Sequence, residues 1–355
     1  MLCIFAYVSG GELAFQKSIP LLVNGEFLKT RGLRNDIHVF LMKGAQLLSP
    51  AYRQTLEELG YRVHDAERAT DRILSRFPDM SLLSDYLAFN YLRWVLAHEL
   101  LLDGQIELPL IALDGDIVVT AEPSAIERDV AGRTFTLQGC PCFVAISDPE
   151  WLSIYERELL AFSKNPKPYD DEARGMLVKP TKEDREFCNA RMYEVPLRHD
   201  QDLIEYLVAA DRLPQARSSD IFNTSSFYWI QNPLTLGEWK DEQGVTTQQP
   251  RIVERGGWQM VAGKQIPFIH FQNDFAWYAH CWLRLSELGL GHLAPSLRYS
   301  RTGEQGWKGR ALSGLIRRLD AGSKSYSRSG LCERSLVKNP ASGNMYLTDI
   351  MNSCW

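Results

Sequence analysis

The sequence predicts an α/β protein with a mostly parallel central sheet and flanking helices. Three observations carry this expectation. Short apolar runs alternate with longer stretches of helical spacing through the first 113 residues. The runs end in turn signals, at Ser9-Gly10-Gly11, Lys43-Gly44 and Asp114-Gly115-Asp116. Residues 81–102 repeat their apolar positions with helical spacing over a length that strands do not reach. Strands separated by helices pair in parallel, because a crossover returns the chain to the edge it left.

In order, 3–8 reads as a buried strand, followed by a helical pattern through Ile19, Leu22, Val23 and Phe27. Residues 36–42 form a second strand. Ser49 is placed to cap a helix over 50–59, and Gly60 to stop it. A short third strand covers 61–64. The helix over 81–102 leads to a strand over 108–113, which delivers an acidic pair. Further on, 143–146 reads as a strand, 149–162 as a helix and the Pro-rich, polar stretch 165–171 as a loop. A helix covers 200–210, a short strand 265–271 and an amphipathic helix 277–290. From Gly291 onward Gly, Ser, Arg and Lys dominate, with one helical piece at 311–319. The expected division is therefore a domain over 1–290, with halves 1–120 and 121–290, and a basic extension over 291–355.

Charge and cysteine usage narrow the partners. The net charge of −5 excludes an electrostatic nucleic-acid binder. Residues 284–355 nevertheless hold 11 Lys and Arg against 5 Asp and Glu, while the remainder holds 28 against 39. This basic tail could meet phosphates or anionic lipid headgroups, a route to peripheral membrane contact. The seven cysteines are scattered, and Cys140-Pro141-Cys142 has no second pair to complete a zinc site. Free thiols in a reducing, cytoplasmic setting are expected. The first eight residues lack the basic lead of a signal peptide, and no apolar run is long enough to span a bilayer.

Asp114-Gly115-Asp116 carries the chemistry. It interrupts an apolar stretch, between Leu108–Leu113 and Ile117-Val118-Val119. Two acids there are costly unless their charge is compensated. Residues two apart in an extended chain point to one side, so both carboxylates can face a single cation. Hard oxygen donors suit Mg²⁺ or Mn²⁺ carrying a phosphate group.

Taken with its surroundings, Leu113-Asp114-Gly115-Asp116-Ile117-Val118 resembles the nucleotide-sugar half of a GT-A glycosyltransferase, a Rossmann-like fold with a DxD motif. Two further segments follow in that family's order. His199-Asp200-Gln201-Asp202 resembles the helix start beyond the donor site, and Phe268-Ile269-His270-Phe271 resembles the late strand whose histidine completes the metal site. The resemblance implies Mn²⁺ or Mg²⁺ on Asp114, Asp116 and His270. It implies a nucleoside diphosphate sugar as donor, with Tyr7, Val8, Asp85 and Asp114 in its site, and a glycan or other hydroxyl acceptor. Asp200, Gln201 and Asp202 would lie at the reacting sugar, with capping of the helix as the other role open to both acids. The segment 223–229 lies where an acceptor would dock, or is ordinary aromatic core. The sequence departs from the pattern twice. Ala88 stands where many members have an arginine, with Arg93 two turns beyond Asp85. Asn273-Asp274-Phe275 replaces a late Gly and Lys. Two other readings are a haloacid dehalogenase-like phosphatase, from Asp114-x-Asp116-x-Val118 with Asp170-Asp171, and a non-catalytic sugar-binding protein on the same fold.

Overall fold

A computed structural model of the protein describes residues 1–9, 12–13, 18–137, 141–176, 193, 195–216, 221, 224–229, 253–255, 258–261 and 263–270. The expected helices over 277–290 and 311–319, and the basic extension over 291–355, lie outside them.

Strand β1 (Leu2–Ala6) runs into a small hairpin, β2 (Val8–Ser9) with β3 (Glu12–Leu13), and then helix α1 (Ser18–Thr30). β4 (His38–Leu41), α2 (Pro50–Glu58), β5 (Arg62–Asp65), α3 (Glu67–Arg76) and α4 (Asp85–Leu102) lead to β6 (Leu110–Leu113) and β7 (Ile117–Val119). α5 (Pro123–Val130), β8 (Phe135–Thr136), β9 (Phe143–Ile146), α6 (Pro149–Lys164), α7 (Lys167–Met176) and α8 (Asp200–Ala209) follow. A meander of β10 (Val253–Arg255), β11 (Trp258–Val261) and β12 (Lys264–Gln265) precedes β13 (Phe268–His270).

The six-stranded sheet has the order β5-β4-β1-β6-β9-β8. Its first four strands are parallel, and β9 alone runs the other way, pairing antiparallel with both β6 and β8. The α/β class with a mostly parallel sheet is thus present. Side chains along β1 alternate between two apolar layers, as a strand buried on both faces requires. Leu2, Ile4 and Ala6 join one core with α1, α2 and the β7–β13 ribbon. Cys3 and Phe5 join the other, with α3, α4, α6 and α8.

Several boundaries differ from the sequence reading. The stretch 165–171 is not a loop, because α7 begins at Lys167. Pro168 occupies its first turn, where a missing N–H breaks no helical bond, and Ala173 is buried. The helix expected from residue 81 starts at Asp85. A 3₁₀ turn covers Pro78–Leu82, and the Ser84 hydroxyl accepts the Leu87 N–H at the cap. Ser49 does hold the cap position of α2, but its side chain makes no capping hydrogen bond. Gly60 stops α2 as expected. Its φ of +89° suits glycine, and a Cβ there would stand 2.9 Å from the Asn35 carbonyl. The strand expected over 265–271 is two pieces, parted at Ile266-Pro267.

Candidate metal centre

The parallel strands β4, β1 and β6 end on one edge of the sheet, since Ala6 pairs with Leu41 and Ile4 with Leu113. Ligand sites of open α/β sheets lie along such an edge. The acidic pair follows β6 directly. It is not extended, as expected from the sequence, but forms a tight turn in which the Ile117 N–H donates to the Asp114 carbonyl at 3.1 Å. The Asp114 N–H is held by the Cys142 carbonyl, 2.8 Å away at the entrance to β9.

β7 leaves the turn and pairs antiparallel with β13, which sets Ile117 opposite His270. This pairing returns the chain from about 150 residues later and brings the histidine to the acids. One ligand atom each from Asp114, Asp116 and His270 lie within 4.8 Å of one another. The His270 Nε2 is 3.5 Å from the Asp116 Oδ1, and the imidazole is 2% exposed. β13 is locked by Phe268, whose ring stacks on Phe143 at 5.2 Å and abuts Trp229. Two carboxylates and one imidazole, partly buried and converging, fit a divalent ion of the Mn²⁺ or Mg²⁺ type.

Arg93 ties this group to α8. Its guanidinium donates to the Asp114 Oδ1 at 2.5 Å and to the Asp200 Oδ2 at 2.7 and 3.0 Å, with a further bond to the Pro141 carbonyl. The Trp94 indole N–H also donates to the Asp200 Oδ2, at 3.0 Å. Burial pulls the Arg93 pKa down, but Asp200 and Asp114 outweigh it and hold the group above its ordinary value. The side chain stays cationic, as a guanidinium does in any protein. Its signal in the sequence was a lone charge inside the apolar run Leu92–Leu96. A buried charge needs a partner, although the sequence does not say which.

The remaining candidates divide by position. Asp200 sits in the Arg93 network, 3% exposed. Asp202 shows the capping role, its Oδ2 accepting the Arg198 and His199 N–H groups at 3.1 Å each. Gln201 lies between them, partly buried. Tyr7 and Val8 follow β1. The Tyr7 ring packs on Phe89 at 5.1 Å, while Val8 is buried and its N–H bonds the Lys43 carbonyl. Burial, followed by the nearby Asp85, raises the Tyr7 pKa and keeps the phenol neutral. Asp85 accepts from the Lys43 ammonium on both oxygens at 2.9 Å. Asp85, Phe89 and Arg93 are four residues apart and so share one face of α4. That face runs along the strand ends from Lys43 through Tyr7 to Asp114. Lys43 was not anticipated as part of this edge.

Two further groups lie away from the edge, and of the two readings open for 223–229 the core reading describes Phe227 and Trp229. Phe227 and Trp229 are buried core residues rather than an open docking face. Trp229 packs against Phe135, Phe143 and Phe268, and Asp129 pins Ser225 and Ser226. Asp170 and Asp171 lie on α7, where Asp170 accepts the Leu197 N–H at 2.8 Å. Among the described residues, no helix is long and apolar enough to cross a membrane. No protein-family model matches the chain, and no curated protein matches it.

Proposed function

We propose that the chain is a metal-dependent glycosyltransferase, moving a sugar from a nucleoside diphosphate sugar to a hydroxyl acceptor. The observation that carries this reading is the convergence of Asp114, Asp116 and His270 at the carboxyl edge of the parallel strands. Asp114, Asp116 and His270 are the residues that hold the ion, Mn²⁺ or Mg²⁺. When bound, such a cation stabilises the negative charge that develops on a diphosphate leaving group.

The chain's own residues divide the remaining work. Arg93 offsets the charge of Asp114 and Asp200, so the ligand set does not repel itself apart before the ion arrives. Asp200 is the counter-charge that keeps Arg93 in place. Tyr7 and Asp85 line the nucleoside end of the same edge, and Lys43 supplies a cation there.

A thermal-shift panel of nucleoside diphosphates and nucleotide sugars, with and without Mn²⁺, tests the reading. At least one of them raises the unfolding midpoint only when Mn²⁺ is present, because a ligand of the native state stabilises it. Transfer that persists undiminished in chelator would sink the assignment.

A further inference from the structure

We propose that Asn24 is a positioning residue for the metal centre, holding the ribbon that presents Asp116 and His270 to Asp114. This rests on reading those three residues as metal ligands.

The β7–β13 ribbon is only three residues per strand. A two-stranded ribbon is marginal alone, so something must fix it relative to Asp114 on β6. On the β13 side, the Thr120 N–H and hydroxyl donate to the Pro267 and Ile266 carbonyls. The alternation of an antiparallel pair then turns the neighbouring Val119 N–H the other way, away from β13. There it meets the Asn24 Oδ1 of α1 at 2.7 Å. The Asn24 amide in turn donates to the Tyr61 hydroxyl at 2.7 Å, and that hydroxyl donates to the Leu21 carbonyl at 2.7 Å. Asn24 is 1% exposed and Tyr61 3%.

The chain of bonds is directional. Asn24 uses its one acceptor on the ribbon and a donor on Tyr61, so the amide cannot turn over without losing both. Burial raises the Tyr61 pKa, which keeps its hydroxyl protonated and able to donate. An amide buried in an apolar layer is costly unless it is bonded. Asn24 therefore does more than fill space between α1 and β7. It fixes the height of Val119, three residues beyond Asp116 and in the strand that pairs with His270. A shift of this ribbon would move two of the three ligands together, relative to the third.

The test compares Mn²⁺ affinity in the full chain, read from free Mn²⁺ by electron paramagnetic resonance, for wild type, Asn24→Ala and Ile73→Ala. Ile73 is fully buried on α3 in the opposite core layer, so its truncation matches a loss of stability without touching the ribbon. The expected result is a Kd about 10-fold weaker for Asn24→Ala, the lower end of what outer partners of metal ligands contribute. Ile73→Ala should keep the wild-type Kd, with both midpoints lowered. A wild-type Kd in Asn24→Ala overturns the proposal while leaving the metal centre standing. A wild-type chain that binds no Mn²⁺ overturns the metal reading itself, and this proposal with it. Should Asn24→Ala fail to fold, amide exchange in the wild type decides. Coupling is reciprocal, so Mn²⁺ should slow exchange at the Val119 N–H; an unchanged rate overturns the proposal.

Discussion

Asp116 and Arg93 illustrate the two ways a charged side chain is held in this interior. Asp116 shares its surroundings with Asp114 and His270, so on the proposed reading removing it takes away one of the three donors to the ion. Asp116→Ala should abolish transfer while its unfolding midpoint without metal stays at or above that of wild type; turnover close to wild type would show that the ion does not use this carboxylate. Arg93 is the opposite case, since it compensates two acids at once. Arg93→Leu leaves both without their cation and should cost ~3–5 kcal/mol by urea titration, the usual penalty for breaking a buried pair from one side. Arg93→Lys keeps a charge without the planar fork, and should recover only part of that loss. The acids were visible in the sequence because two of them interrupt an apolar run. The Arg93 contacts were not, because a lone arginine on a helix does not reveal which distant acids face it.

At the scale of elements, strand pairing places groups that sequence distance keeps apart. β13 is delivered to β7 from the far end of the described chain. β4 and β5 do the same for a histidine pair at the sheet's edge. His38 and His64 stack at 5.0 Å, with the His64 Nε2 and His38 Nδ1 3.1 Å apart. Burial first, then His64 and Arg62, lower the His38 pKa to about 4, against an opposing pull from Asp36. Burial and Arg62 lower that of His64 as well. Both values lie below the ordinary 6.5 of the unfolded chain, so the folded state favours the neutral rings. Their contribution to stability is complete above about pH 6.5 and is lost as pH falls toward about 4. The urea midpoint should drop through that window, and the drop should be shallower in His38→Gln. An equal slope in that variant would show that other groups titrate there. Of the elements themselves, α7 was missed because proline and acids look like a loop until a neighbour buries Ala173.

For the whole molecule, the Asp114, Asp116 and His270 cluster lies at the edge of a sheet buried between two apolar layers. If the native state alone binds Mn²⁺, the ion at 100 times its Kd should add ~2.7 kcal/mol to unfolding free energy. That increment should vanish in Asp116→Ala, and its persistence would place the ion elsewhere. The sequence by itself determined the α/β class, the alternation of strands and helices, and the acidic pair at a strand end. Those features follow from local periodicity and from the cost of burying charge, which are written in neighbouring residues. The resemblance already implied that His270 joins the pair. Only the tertiary structure decided that the pair is a turn, that Arg93 joins Asp114 to Asp200, and that Asn24 meets β7. The turn is closed locally, from Ile117 to Asp114, whereas the Arg93 and Asn24 contacts depend on side-chain direction between residues 21 to 107 positions apart. Such contacts are set by how the layers pack, and no local pattern encodes them.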